Sequence, residues 1–438
     1  MRKTVCMRRF GGHRGGEEGA GRFFANDKVT PAKIVESWSE RTSAAARGRH
    51  VLAIQDTTEV KFSTTPARRR GLGQCGHGNV YGVLAHTMMA VDADSGACLG
   101  LVAGEVWNRQ GKAAVPLRDR PLSARESLRW LNTAEKAKTV LAQAATTTIV
   151  GDREDDIYAI WAKIPAPGVH LLIRAQSDRR LAPPGDDPEA DGGTLFTAAG
   201  KFPLHGPVDV ELPARPGRAK RTARLGIRFG TVEILRPANE KDRTLAASVR
   251  LTLVEVLEPC PPPGVEPIHW RLLTTHPAET VADAWQIVGW YRLRWTIEQL
   301  FRAAKSQGLG LEDSQMATAD RLAKLTAVAL KAACIDMQLV QERDGVHGLP
   351  AAIAFSAAEI ETAEALIPTL EGKTERQENP HAPGSLARVS WVMSRLGGWN
   401  CYYSPPGPIT MKRGREQFHA IHRGRMLGSD GKRDVRLL

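Results

Sequence analysis

Cysteine is scarce in this chain and scattered. Its six cysteines (6, 75, 98, 260, 334 and 401) form no CxxC pair across 438 residues, so neither a zinc site nor a disulfide framework is expected. Reduced thiols in a cytoplasmic protein are the simpler expectation. Long apolar runs are missing too. The longest stretch free of Lys, Arg, Asp and Glu, from Gly71 to Val91, is broken by glycines and by Gln74, His77, Asn79 and His86, which makes it a poor membrane span. The basic N-terminus is not followed by an apolar core, so it does not read as a signal peptide. There is no internal repeat and no extended low-complexity segment. What the chain has in excess is positive charge: 60 Lys and Arg against 48 Asp and Glu, a net charge of +12 and a pI near 9.6. That balance suits a polyanion such as DNA, bound through phosphate neutralisation and counterion release. Hydrophobic content of 42% and charged content of 25% are ordinary for a globular protein of two or three domains.

The most informative segment is Tyr291 to Lys305, YRLRWTIEQLFRAAK. Tyr291, Arg294, Glu298, Arg302 and Lys305 recur at helical spacing, and about 100° per residue predicts one polar stripe. Leu293, Ile297, Leu300 and Ala304 predict an opposite, buried stripe, leaving Arg294 and Lys305 exposed to a cleft beside Glu298. A carboxylate among cations and a phenol suits metal-dependent chemistry on a phosphodiester. It equally suits a solvated face with a favourable Arg–Glu pair four residues apart.

Two aspartates extend the first reading. Asp56 follows the apolar run Val51–Ile54, and Asp152 follows Thr148–Val150; both runs read as buried strands. Acidic residues at such junctions also serve as turn residues or helix caps. Further strand-like runs lie near 80–92 and 97–107, with a hairpin signal at Asp92–Gly96 between them. A helix is expected near 123–144, a strand at 146–151, a helix at 155–163 and a strand at 169–174. Strands first and alternation afterwards predict an α/β fold with a mixed sheet.

Through these residues the chain resembles the DDE transposases of the insertion-sequence-four family. That family's tyrosine–arginine–glutamate–lysine pattern is filled, with every spacing kept, by Tyr291, Arg294, Glu298 and Lys305. Asp56-Thr57-Thr58 matches its first aspartate segment, and Asp152-Arg153-Glu154 with Asp156-Ile157-Tyr158 matches its second. Trp270 in HWRLLTTHP and Arg395-Leu396-Gly397-Gly398 extend the likeness, which runs from about Gly21 to about Gly428.

The resemblance implies a ribonuclease H-like mixed sheet with an inserted all-β subdomain and a helical C-terminal region. It implies a catalytic domain at 48–345 with the insertion at about 165–275, and a C-terminal dimerisation region at 346–438. Asp56, Asp152 and Glu298 would hold two Mg²⁺ ions, with Mn²⁺ as a substitute. The activity implied is cut-and-paste transposition of an insertion sequence by nicking, hairpin formation and strand transfer, carried out on DNA by a homodimer with no membrane association. Tyr291, Arg294 and Lys305 would grip phosphates, with Arg302 and Arg174 as further basic contacts. Trp270 would stack on an extruded base, although a core tryptophan explains it equally well from sequence.

The insertion carries strand-like runs at 208–213, 222–229, 231–235 and 248–257. Arg215, Arg218, Lys220, Arg221, Arg224 and Arg228 crowd it, either as a DNA-tracking patch or as a solvated hairpin. Glu371–Gly384 reads as a linker, and Leu386, Val389, Val392, Met393 and Leu396 as the apolar stripe of a helix. Relatives carry a helical DNA-end-binding domain where residues 1–47 show six glycines between Gly11 and Gly21 and no helical periodicity. A truncated start lacking end recognition is expected there. Two alternatives accompany the transposase reading: a shortened DNA-binding or inhibitory form, and a ribonuclease H-like nuclease without strand transfer.

Overall fold

The computed structural model describes residues 14–63, 71–76, 78–109, 126–183, 192–212, 219–307, 309–316 and 318–429. Its strands are β1 (His50–Ser63), β2 (Gly73–Gln74), β3 (Tyr81–Asp92), β4 (Cys98–Trp107), β5 (Thr146–Gly151), β6 (Val169–Arg174), β7 (His205–Leu212), β8 (Arg221–Leu235), β9 (Ser248–Leu257) and β10 (His269–Thr274). Its α-helices are α1 (Arg14–Ala25), α2 (Pro31–Glu36), α3 (Thr42–Ala45), α4 (Leu128–Val140), α5 (Tyr158–Lys163), α6 (Leu195–Lys201), α7 (Val281–Arg292), α8 (Trp295–Arg302), α9 (Ala319–Glu342), α10 (Ala357–Leu370), α11 (Leu386–Leu396) and α12 (Pro408–Ser429).

All ten strands join one sheet, in the order β2-β3-β1-β5-β6-β10-β9-β8-β7, with β4 also paired to β3. β1 runs antiparallel to β3 and parallel to β5, and β5 runs parallel to β6. From β10 outward every pairing is antiparallel. The expected hairpin closes β3 onto β4: the Asp92 carboxylate accepts the backbone N–H groups of Asp94 (3.1 Å) and Ser95 (2.9 Å), and Gly96 takes the positive φ (74°) that ends the turn.

The period-2 alternation of β1 sorts its side chains between two cores. Val51 and Ala53 join the cluster that holds Trp130 and Trp161 from α4 and α5. Leu52 and Ile54 join the cluster that holds Ile297 and Leu300 from α8 and Leu322 from α9. Asp56 therefore continues the face turned toward α8, and Gln55 continues the opposite one. β3 is buried along almost its whole length, as expected of a strand covered on both faces.

Four expectations are corrected. The insertion is not all-β: it carries a helix, α6, and its strands extend the main sheet. The runs at 222–229 and 231–235 are one strand, β8; the interruption at Gly230 is where a Cβ would lie 2.2 Å from the Phe202 ring. Residues 14–25 are helical despite their glycines. There Arg14 pairs with Glu18 at 3.2 Å, Phe24 is buried, and Lys324 donates to the Phe24 and Asn26 carbonyls. The helix expected at 123–144 spans only Leu128–Val140, and residues 123–125 lie outside the described residues.

In the C-terminal part, Leu386, Val389, Val392 and Met393 are buried as their spacing predicts, in the same cluster as Leu339 of α9 and Phe418 of α12. That stripe is thus used within the chain. Residues 371–384 contain no α-helix or strand. Among the described residues no helix is long and apolar enough to cross a membrane. Of the basic residues in the insertion, Arg215 and Arg218 lie outside the described residues. Lys220 pairs with Glu211, Arg221 with Glu258, Arg224 with Asp209 and Arg228 with Glu255, so the described part of that patch is largely neutralised within the sheet.

Candidate active site

The segment read as one helix is two helices and a wider coil. Thr280 starts α7 with a capping box closed by Asp283. At its end the N–H groups of Leu293, Arg294, Thr296 and Ile297 bond to carbonyls three residues back, a tightened turn that precedes α8. Beyond α8, Ala303–Gln307 widens into a π-helix. The tight turn brings Arg294 inward: it is buried, where the helical stripe predicted exposure. Ile297 and Leu300 are fully buried as expected, while Leu293 is only half-buried.

Arg294 joins two of the candidate carboxylates. One guanidinium nitrogen donates to Asp56 Oδ2 at 3.2 Å and the other to Glu298 Oε1 at 2.9 Å. Asp56 also accepts the N–H of Thr57 at 2.7 Å. Asp152 sits just beyond β5, where its Oδ1 accepts the N–H of Glu154 at 2.8 Å. It is a turn cap whose charge also bears on Asp56. Burial first, and the charge of Asp152 second, raise the Asp56 carboxyl to about 7, against the opposing pull of Arg294.

Around this core, Tyr291 is buried with its ring edge-on to Trp270, centroids 5.7 Å apart. Burial pushes its phenol up to about 12, so it is a neutral donor at physiological pH. Arg174, at the end of β6, donates to the His269 carbonyl at 3.0 Å, and the charge of Asp152 acts on it. Lys305 departs from the expected stripe. The π-helix turns it into a half-buried position among Glu312, Lys61 and Glu59, where burial lowers its ammonium. Arg302 is exposed. The fold thus draws Asp56, Glu298 and Arg294 into direct contact, places Asp152, Tyr291, Arg174 and Trp270 around them, and leaves Lys305 and Arg302 outside.

A second layer, not singled out by sequence, backs Asp56 from the other face of β1. The Thr57 hydroxyl lies 2.9 Å from His86 Nδ1, His86 Nε2 lies 3.3 Å from Gln55 Oε1, and Gln55 Nε2 donates to Asp155 Oδ2 at 2.9 Å. Burial holds His86 neutral, near 3, and pushes the Asp155 carboxyl well above the carboxylate range. Only the Nε2–H tautomer satisfies both histidine contacts. Gly151 makes room for this layer, since a Cβ there would lie 2.0 Å from Asp155 Oδ2. The signal available in the sequence was the polar Gln55 directly after the apolar run Val51–Ile54. Asp156, also in the matched motif, is structural: it takes Arg179 at 2.6 Å and the N–H groups of Gln176 and Ser177.

The donor set suits a hard divalent cation, which prefers carboxylate oxygens. Among the described residues no three His, Cys, Asp or Glu side chains are already gathered as metal ligands. Arg294 instead stands in as the cation between Asp56 and Glu298. Burial and the charge of Asp152 still outweigh Arg294 at Asp56, and three carboxylates facing one guanidinium fit further positive charge.

Half-buried carboxylates on a central strand and a helix, bridged by Arg294, with Asp152 acting on the first of them, stand in a basic chain that a family comparison also matches. A family model described as Transposase DDE domain matches residues 47–335, and the chain belongs to that family.

Proposed function

We propose that this protein is a transposase of the insertion-sequence-four type that nicks DNA and transfers the cut strand. Asp56, Asp152 and Glu298 would form its catalytic set on a ribonuclease H-like sheet. The observation that carries the reading is Arg294, which holds Asp56 and Glu298 on one guanidinium while the charge of Asp152 bears on Asp56. The sheet order β4-β3-β1-β5-β6, antiparallel and then parallel, supports the fold assignment.

Members of this family generally use divalent metal ions. The three carboxylates would hold them, and such ions, when bound, activate an attacking oxygen and stabilise a leaving one in phosphodiester displacement. The chain's own residues supply the rest. Arg294 exchanges its carboxylate partners for a phosphate, to which a guanidinium donates two parallel hydrogen bonds. Tyr291, protonated and buried, donates to a phosphate oxygen beside it. Trp270, edge-on to Tyr291, offers a face on which an unstacked base rests, which offsets the few kcal/mol of unstacking. Lys305 and Arg302, outside the cluster, are assigned to phosphates farther along the DNA. The synaptic partner would be a second copy of the chain.

The test is Mg²⁺-dependent nicking of supercoiled and end-containing DNA, with EDTA as control. Asp56→Ala, Asp152→Ala and Glu298→Ala should each abolish nicking and leave the circular dichroism spectrum unchanged. Wild-type nicking by any of the three would sink the proposal.

A further inference from the structure

A groove of about 1200 Å³ opens between α7 and the strands β6, β7, β8 and β10. It is lined by Arg153, next to Asp152, by Trp270, and by one face of α7 that continues past the tight turn: Trp285, Gly289, Arg292 and Trp295. Trp285, Gly289 and Arg292 lie four and three residues apart, so they follow one another along α7, and Trp295 lines the groove beyond the turn. From Trp285 to Arg292 the rise is about 10 Å. That length matches about three nucleotide steps of a stacked strand, at roughly 3.4 Å each.

Gly289 is the informative residue in this row. It lies inside α7, where alanine would make a more stable helix. It is exposed, and a Cβ there would meet nothing within 4 Å among the described residues. Among the described residues neither packing nor backbone conformation requires glycine there. The missing side chain instead leaves a flat passage between an indole and a guanidinium. Trp285 points the same way. Its buried indole N–H has no hydrogen-bond partner among the described residues, a cost that phenylalanine or leucine would avoid. What indole adds is the broadest aromatic face. The opposite wall carries Asp209 and Glu211, which pair with Arg224 and Lys220, and the exposed Glu266, which leaves the aromatic and basic face of α7 as the one suited to a nucleic acid.

We propose that this face of α7 holds two to three nucleotides of unpaired DNA strand leading away from the scissile position. One base stacks on Trp285, the backbone crosses Gly289, and a phosphate meets Arg292. The inference rests on the function proposed above and adds a strand-binding subsite to it, separate from the single base at Trp270.

The experiment uses the full chain and fluorescence anisotropy on three labelled probes: a blunt duplex, the same duplex with an overhang of about three nucleotides, and that overhang made abasic. Base–aromatic stacking predicts that wild type binds the normal overhang about tenfold tighter than the blunt end and loses most of that gain on the abasic probe. Trp285→Ala should remove most of the preference, and Trp285→Phe part of it. Gly289→Ala should raise the unfolding temperature and still lower the preference at least about threefold, so a folding defect in the tryptophan variant does not blunt the test. Equal binding of blunt and normal-overhang probes by wild type overturns the proposal, as does an undiminished preference in Gly289→Ala. Mg²⁺-dependent nicking is measured in parallel on the same duplex. Nicking without overhang preference removes the subsite alone, whereas overhang preference without nicking removes the catalytic reading alone.

Discussion

Replacing Arg294 with alanine should destabilise the protein by an amount that depends on pH. The side chains of Arg294 and Asp56 are 11% and 17% exposed, so their ion pair is mostly desolvated, whereas Glu298, at 34%, is screened and adds little. Removing one partner of a buried pair costs about 3–5 kcal/mol, and the residual exposure here argues for about 3. The Asp56 carboxyl is raised from 3.8 to about 7, a shift worth about 4 kcal/mol at about 1.4 kcal/mol per pH unit. Its sign is unfavourable to folding. Between those two values the native state keeps a proton that the unfolded chain has shed, so stability falls as pH rises through the window. Arg294 limits that fall, and without it the Asp56 pKa moves above 7 and the penalty keeps growing. In EDTA, urea unfolding should show Arg294→Ala losing about 3 kcal/mol at pH 8. At pH 6 Asp56 is protonated in both proteins, and the loss should shrink to about 1 kcal/mol. Magnesium at pH 8 should restore more stability to the variant than to the wild type. Equal losses at the two pH values, or none, would refute the coupling of Arg294 to Asp56.

The remaining expectations test other parts of the scaffold. His276 hydrogen-bonds Thr148 and stacks on His170, and burial lowers it to about 3. Below 6.5 the unfolded chain takes up a proton that the native state refuses, so stability is complete above 6.5 and falls by up to about 1.4 kcal/mol per pH unit on acidification; His276→Leu should flatten that slope in urea titrations. Arg179→Ala strips a buried Asp156 of its partner and should cost about 3–5 kcal/mol, read as a lowered melting temperature. Gly151→Ala drives a Cβ against Asp155 and should cost more than about 2 kcal/mol, whereas Gly193→Ser, with nothing within 4 Å among the described residues but a φ of 72°, should cost only about 1–2.

Much of the central sheet was legible because each strand carries its own signal. β1, β3, β5 and β6 are apolar runs bounded by polar residues, and Asp92–Gly96 is a self-sufficient turn. The strand-end placement of Asp152 was legible for the same reason, but Asp56, expected near a strand end, lies inside β1, which runs on to Ser63 because its polar half still pairs with β3. The helix bearing Glu298 was misread because uniform rotation per residue cannot register a tight turn at Leu293–Arg294 or a wide one after Arg302, and each shifts every later side chain around the axis. An arginine four residues before a glutamate looks like a surface pair; only the passage of Asp56 beneath the helix makes it a buried bridge. Gly230 looked like a strand break because the Phe202 ring that fills its place lies 28 positions away in the chain. The layer of Gln55, His86 and Asp155 was hidden because its members come from three separate segments.

One continuous sheet also limits how the protein can be rearranged. Had the strands from His205 to Thr274 formed their own unit, they could be lost or exchanged as a cassette. Instead β10 is hydrogen-bonded along β6, whose Leu171, Leu172 and Ile173 are fully buried. Deleting the added strands would leave β6 as a bare, apolar edge beside the carboxylates, open to pairing with other chains. Variation in this region is therefore confined to its turns and to its outermost strand, β7, where a residue can change without unzipping its neighbours.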